Sequence, residues 1–185
     1  MKTTQRGFTL IELIVVIALI AIMMGLAAPS FVRFQRSSEL TSATNSLVGS
    51  MAAARAEAMK RNRNAFVLPL VADDWRGGWT VFVDMNANNA FDNGVDVLVM
   101  TEAALPGSIS VPAPTAGLNA FKYSTTTYIM FNGSGFPRQQ AGGAFIVASG
   151  VEFMHDVKLR RRVVMTPAGR IRACNPVAEP GTCVP

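Results

Sequence analysis

Apolar residues follow two regimes along the chain. From Phe8 to Ala28 they run almost unbroken, with Glu12 the only ionisable side chain among 21 residues. As a helix rising 1.5 Å per residue, the run extends roughly 32 Å, enough to cross a bilayer. Pro29 then withholds one backbone donor and predicts a kink or local melting. Beyond it, Leu40, Ala43, Leu47, Met51, Ala54 and Ala58 recur at steps of three and four. Arg55, Glu57, Lys60, Arg61 and Arg63 crowd the other side, so an amphipathic helix is predicted to about residue 63. Its Met and Ala stripe reads as packing against a sheet.

After residue 64 the period changes to short β-branched and aromatic runs punctuated by Gly, Pro and Asn. Strands are predicted at Ala65–Val71, Gly78–Asp84, Val95–Glu102, Thr127–Asn132, Ala144–Val151, Val157–Met165 and Gly169–Cys174. One helix followed by strands joined through turns implies an α+β domain with a mostly antiparallel sheet. The stretch from Leu105 to Asn119, with three Pro and two Gly, reads as an irregular connection.

Composition removes several function classes. Half of the 185 residues are hydrophobic, which excludes disorder. One His and two Cys cannot build a closed zinc site, and nucleophilic catalysis is also short of parts. The net charge of +5 is too small to name a partner, but it is unevenly placed. Residues 1–63 carry eight basic and three acidic side chains, residues 64–100 one and five, and residues 151–185 six and three. The C-terminal region is therefore a second basic region, far in sequence from the first.

Lys2 and Arg6 flank the apolar run, and such a flank keeps an N-terminus cytoplasmic. The run is longer than the apolar core of an ordinary secretory signal, which argues for its retention. Glu12 is the anomaly: a carboxylate in hydrocarbon costs several kcal/mol unless it finds a partner. A protonated Glu at the membrane edge is the plain reading. The string Arg6-Gly7-Phe8-Thr9-Leu10-Ile11-Glu12-Leu13 resembles the leader and N-terminal helix of type IV pilins and type II secretion pseudopilins. That resemblance implies cleavage by a prepilin peptidase between Gly7 and Phe8, methylation of the Phe8 amine, and pairing of Glu12 with the amine of a neighbouring subunit. It divides the chain into a leader (1–7), a hydrophobic membrane and filament-core helix (8–28), an amphipathic half (29–63) and a β-rich globular domain (64–185). It implies a single-pass inner-membrane protein that later joins a pilus at the cell surface or in the periplasm, with other major and minor pilins as partners.

Several candidate sites lie further on. Asp84, Asn86, Asn88, Asp92 and Asp96 place oxygen ligands on one turn, but Asn89 and Val95 stand where a calcium loop needs Gly and Glu. A hairpin whose Asx side chains cap their own backbone is the alternative. With Trp75 to Asp84 before it, the stretch resembles the core of FimT and GspH-like minor pilins. His155, Asp156 and Cys174 allow a Cys/His hydrolase on paper, yet an exported thiol near a second Cys is expected to be oxidised. A disulfide between Cys174 and Cys183 is therefore predicted, contributing roughly 2–3 kcal/mol.

The strongest candidate is basic. Thr166-Pro167-Ala168-Gly169 predicts a hairpin turn, and strand alternation then puts Arg170 and Arg172 on one face, with Ile171 and Ala173 on the other. In the preceding strand Lys158, Arg160 and Arg162 share a face, with Arg161 opposite; whether the two faces coincide depends on register. From charge alone, a solubilising outer sheet face explains the cluster better than DNA binding does. However, Gly169-Arg170-Ile171-Arg172 is similar to the GRxR motif of FimT-type minor pilins, whose arginines bind DNA in natural transformation. The resemblance thus implies a non-enzymatic minor pilin, without cofactor or metal, that binds DNA electrostatically. A FimU-like subunit that primes or caps the pilus, and a GspH-like pseudopilin of type II secretion, remain alternatives.

Overall fold

The computed structural model describes residues 7–112, 121–123, 126–139 and 149–184. The chain divides into two compact units, Met1–Ser38 and Glu39–Pro185. One helix, α1 (Leu10–Arg61), begins in the first and ends in the second. At its start Thr9 and Glu12 form a capping box. The Thr9 backbone N–H and hydroxyl both donate to Glu12 Oε2 at 2.8 Å, and the Glu12 N–H donates to Thr9 Oγ1 at 3.3 Å. The bonded donors at N-cap and N3 are two of those that a helix N-terminus otherwise leaves open.

Every large apolar side chain described from Phe8 to Met24 is exposed, as are Phe31, Val32 and Phe34. A stripe this continuous marks a surface that meets lipid or other protein. The chain stays helical across Pro29 but is bent between Leu10–Gly25 and Ser30–Arg61. Hence the predicted break is a bend without melting. By length and composition that bent pair together suffices to cross a membrane; no single unbroken helix among the described residues does.

In the second unit the predicted amphipathic face is the packed one. Leu40, Ala43, Leu47, Met51, Ala54 and Ala58 are all buried in one cluster with residues of two sheets. The helix closes at Asn62, whose φ of 51° is left-handed, while the Arg63 N–H reaches back to the Ala58 carbonyl at 3.2 Å. That is a Schellman stop with Asn in the place more often held by Gly.

Nine strands are described: β1 (Ala65–Val71), β2 (Asp74–Val83), β3 (Val97–Glu102), β4 (Lys122–Tyr123), β5 (Thr126–Thr127), β6 (Ile129–Phe131), β7 (Ser149–Met154), β8 (Arg160–Met165) and β9 (Ile171–Cys174). They form antiparallel sheets in the orders β3-β2-β1-β6, β4-β5 and β7-β8-β9. The helix lies on the first sheet through Trp79, whose indole N–H donates to Ser50 Oγ at 2.8 Å. Phe66 stacks on Phe82 across β1 and β2 at 5.2 Å, which aligns the pair on the opposite face.

Several predicted boundaries move for identifiable reasons. β2 starts at Asp74, ahead of the predicted Gly78, because Gly78 is no turn: a Cβ there would stand 2.3 Å from the Glu102 carbonyl oxygen. The glycine permits close approach of β3. The Asp74 carboxylate takes three contacts from the Arg76 guanidinium, which hold it below the usual carboxylate range. The predicted Thr127–Asn132 strand divides into β5 and β6 at Tyr128, whose N–H turns to the Phe121 carbonyl. β8 starts at Arg160 and not Val157, since the Asp156 carboxylate accepts the Lys158 and Leu159 N–H groups and folds that stretch into a turn. β3 starts at Val97, β7 runs on to Met154, and residues 113–119 and 144–148 of the predicted segments lie outside the described residues.

Candidate nucleic-acid interface on the C-terminal hairpin

The β8–β9 turn is built as the sequence implies. The Gly169 N–H donates to the Thr166 carbonyl at 2.8 Å and the Thr166 N–H to the Arg170 carbonyl at 3.0 Å. Gly169 has φ +81°, so this is a three-residue loop with glycine at its left-handed position. Gly169 is buried as well: a Cβ would stand 3.1 Å from Pro137 Cδ, and its carbonyl accepts from Arg55 Nη1 at 3.0 Å. Glycine is thus required here by backbone geometry before any ligand is considered.

Register decides the face. Arg162 pairs with Cys174 and Val164 with Arg172, while Glu152 pairs with Arg162 and Met154 with Arg160. Paired residues share a side, so Arg160, Arg162 and Arg172 lie on one face, joined by Glu152. Arg161, Val163, Met165, Ile171 and Ala173 lie on the other. The predicted strand Gly169–Cys174 begins only at Ile171, because Arg170 closes the turn through its carbonyl; Arg170 is exposed there and is not on the strand face with Arg172. Lys158 is exposed too, but it stands in the β7–β8 turn and so is not a member of the strand face.

The arginines differ in how engaged they are. Arg162, with only 11% of its side chain exposed, donates to Glu152 Oε2 through Nη2 at 2.6 Å and Nε at 3.0 Å, and to the Cys183 carbonyl at 3.0 Å. Arg160 donates to Glu152 Oε1 at 3.1 Å. Arg172 Nη2 donates to the carbonyls of Val184, at 2.7 Å, and Thr182. Carbonyls orient a guanidinium without cancelling its charge, whereas Glu152 cancels one unit. Among the described residues of this sheet face Glu152 is the carboxylate set against Arg160, Arg162 and Arg172, while Arg170 stands apart at the turn. The tail they hold is closed by the predicted disulfide between Cys174 and Cys183, with Cα atoms 5.6 Å apart.

On the inner face Ile171 packs against the core as predicted, but Ala173 is exposed. It lines, with Arg161, Thr41, Asn45 and Glu179, an open cleft of about 360 Å³. The inner face loses its core partners at that end because the helix there presents Thr41 and Asn45.

Other candidates resolve simply. In the acidic turn, Asp84 accepts the Ala87 and Asn89 N–H groups, Asp96 accepts those of Met85 and Asp92, and Asp92 accepts both Asn86 and Asn88 side-chain amides. Those oxygens serve the backbone and each other, as the self-capping alternative has it. His155 is buried with Nε2 3.2 Å from Glu39 Oε2, and Cys174 is a disulfide half, so no Cys/His pair forms. Gly7 and Phe8 lie exposed ahead of α1. Glu152, Arg55 and the Thr9 cap escaped sequence reading. Thr9 was legible, since Thr-x-x-Glu before an apolar run is a capping box. Glu152 needed the register, and Arg55 needed contacts across 114 residues.

A long helix with an uncovered apolar start and an antiparallel α+β unit on its second half is the construction of a type IV minor pilin or pseudopilin. The chain belongs to the type II transport protein GspH family, whose pattern matches residues 43–169, and residues 2–28 match the prokaryotic N-terminal methylation motif. Pilin families are structural, and the chain is not an enzyme. Pilin-like protein PilA1 of Thermus thermophilus is 40% identical over 91 residues, 49% of this chain and 56% of PilA1. The type IV major pilin protein PilA of Myxococcus xanthus is 46% identical over 43 residues, 23% of this chain and 20% of PilA. The chain therefore spans about half the length of the first curated relative and a fifth of the second. The type IV minor pilin FimU of Pseudomonas aeruginosa PAO1 shares the fold with a TM-score of 0.52 and 17% identity, over 82% of this chain and 96% of FimU.

Proposed function

We propose that this chain is a minor pilin of a type IV pilus that binds DNA through its C-terminal hairpin during natural transformation. In this reading a prepilin peptidase cleaves after Gly7 and methylates Phe8. The helix anchors the chain in the inner membrane, N-terminus inward, until Glu12 pairs with a neighbouring amine and the subunit enters the fibre. The observation that carries DNA binding is the register: Arg160, Arg162 and Arg172 share one face near the exposed Arg170, with Glu152 the carboxylate on that face among the described residues. Arg170 and Arg172 are the principal contacts. Arg160 and Arg162 add field more than contact because Glu152 holds them, and Lys158 contributes from the adjoining turn. Guanidiniums held by Glu152 and by the tail carbonyls offer charge to the phosphate backbone, so in this reading binding is electrostatic and indifferent to sequence.

The test is Arg170→Gln with Arg172→Gln, titrated with duplex DNA over a salt series. The log–log salt slope should flatten by about 1.8 with the fold unchanged, and a scrambled duplex should bind equally. Unchanged affinity and slope would move the second reading ahead: a FimU-like subunit that primes or caps the fibre, or a GspH-like pseudopilin of type II secretion. That second reading is favoured by the likeness to FimU and by the family assignment.

A further inference from the structure

We propose that the DNA-contacting surface continues from the hairpin turn onto the C-terminal end of α1, where Lys60 and Arg63 contact the same duplex as Arg170. This rests on the DNA-binding reading above and adds to it a segment more than 100 residues away in sequence.

Docking of the turn on the helix supplies the argument. The Gly169 carbonyl accepts from Arg55 at 3.0 Å. Beside it, a Cβ on Gly135 would stand 2.7 Å from Met59 Sδ, and one on Gly133 would stand 2.4 Å from Asn62 Oδ1. Arg55 and Met59 lie one turn apart on one side of the helix and Asn62 follows at its stop, so the turn and the 133–137 loop are laid along the last turn of α1 and its cap. From Arg55 to Arg61, the last helical residue, the axis advances about 9 Å, a span over which a duplex strand presents about two or three phosphates at roughly 3.4 Å each.

The charge on this end is one-sided. Along the last two turns of α1 and its cap, Arg55, Lys60, Arg61 and Arg63 stand with one carboxylate, Glu57, which Lys60 and Arg61 share at 3.0 and 2.8 Å, and the exposed Arg170 adjoins them through the turn. Attraction to the helix C-terminus explains basic residues in the last turn. It does not explain a second basic element brought against that turn from the other end of the chain. On the far flank the Asp84 N–H donates to the Asn64 carbonyl at 2.9 Å, which brings the acidic turn beside the helix end. The favourable field therefore opens on the hairpin side, and DNA approaches there. Lys60 is 67% exposed, and Arg63 is exposed, so both reach a ligand without opening the core.

The experiment uses the full-length chain in uncharged detergent, titrated with a duplex of mixed sequence over a salt series. It compares Lys60→Gln with Arg63→Gln, the Arg170/Arg172 double variant, and a control of equal charge loss, Arg33→Gln with Arg36→Gln. The helix-end variant should lose about tenfold or more in affinity near 0.1 M salt and flatten the slope by about 1.8, with the control close to wild type. If the hairpin variant weakens while the helix-end variant binds like wild type, the extension is wrong and the DNA reading stands. Equal losses in the helix-end variant and the control would reduce the effect to net charge and overturn it. A wild-type chain that does not bind at all ends both.

Discussion

Glu152 is the residue on which the basic face turns. It is 7% exposed, accepts from two arginines, and stands across from Arg162 in register. A buried carboxylate so bonded stabilises little against an apolar substitute, but removing it strands its partners. Glu152→Gln is expected to destabilise the fold by about 2–3 kcal/mol, below the value for a fully buried pair because Arg160 is part exposed. Urea unfolding checks the loss. The same change adds one unit of positive charge to the face, so DNA affinity should rise while stability falls. A variant weakened in both would separate Glu152 from the electrostatics and make it a packing residue only.

Among elements, the N-terminal part of α1 is the one whose apolar side chains are left uncovered, and it is where the proposed assembly role can be tested. Glu12 completes the Thr9 capping box, and a helix cap is a sufficient reason for a carboxylate at that position. Two substitutions separate cap from charge. If Glu12 pairs with a neighbouring amine as proposed, Glu12→Ala should permit leader cleavage but reduce the amount of protein in sheared fibres. Thr9→Ala costs only the cap, about 1 kcal/mol in a helix of 52 residues, and should assemble nearly as wild type. If both variants lose incorporation equally, helix initiation and not pairing is what Glu12 supplies.

The helix was the most legible element because its period is long and its core face is regular: every one of Leu40, Ala43, Leu47, Met51, Ala54 and Ala58 is buried. Apart from the two-residue β4, which the pattern missed, strands were legible by existence and less so at their ends. Gly78 and Asp156 moved boundaries through contacts that sequence pattern does not carry: a carbonyl on the neighbouring strand in one case, a side chain folding back on its own turn in the other. At the candidate site, the turn chemistry and the disulfide could be read from residue types. Which arginines were engaged could not, because Glu152, the tail carbonyls and Arg55 reach the hairpin only through register and tertiary packing.

At the scale of the whole molecule, the disulfide and the tail act together. Cys174 and Cys183 close a short loop, and the chain around Cys183 is held by Arg162 and Arg172 through three consecutive carbonyls. Replacing both cysteines by serine is expected to cost roughly 2–3 kcal/mol, read as a lowered melting midpoint. It should also leave Arg172 less fixed, with faster proteolysis confined to residues after 174. Non-reducing alkylation of protein from the cell envelope should find no free thiol. Two alkylated cysteines would mean that the arginines alone hold the tail.

The Arg55–Gly169 contact has a mechanical meaning as well. A load applied at the hairpin tip reaches α1 through the β8 and β9 side chains that share its core, Val163, Met165 and Ile171. The hydrogen bond from Arg55, with Pro137 seated beside the turn, places a short strut between tip and helix across 114 residues of sequence. Tension is then divided between two routes, and the hairpin is spared the peeling geometry in which ladder hydrogen bonds fail one at a time.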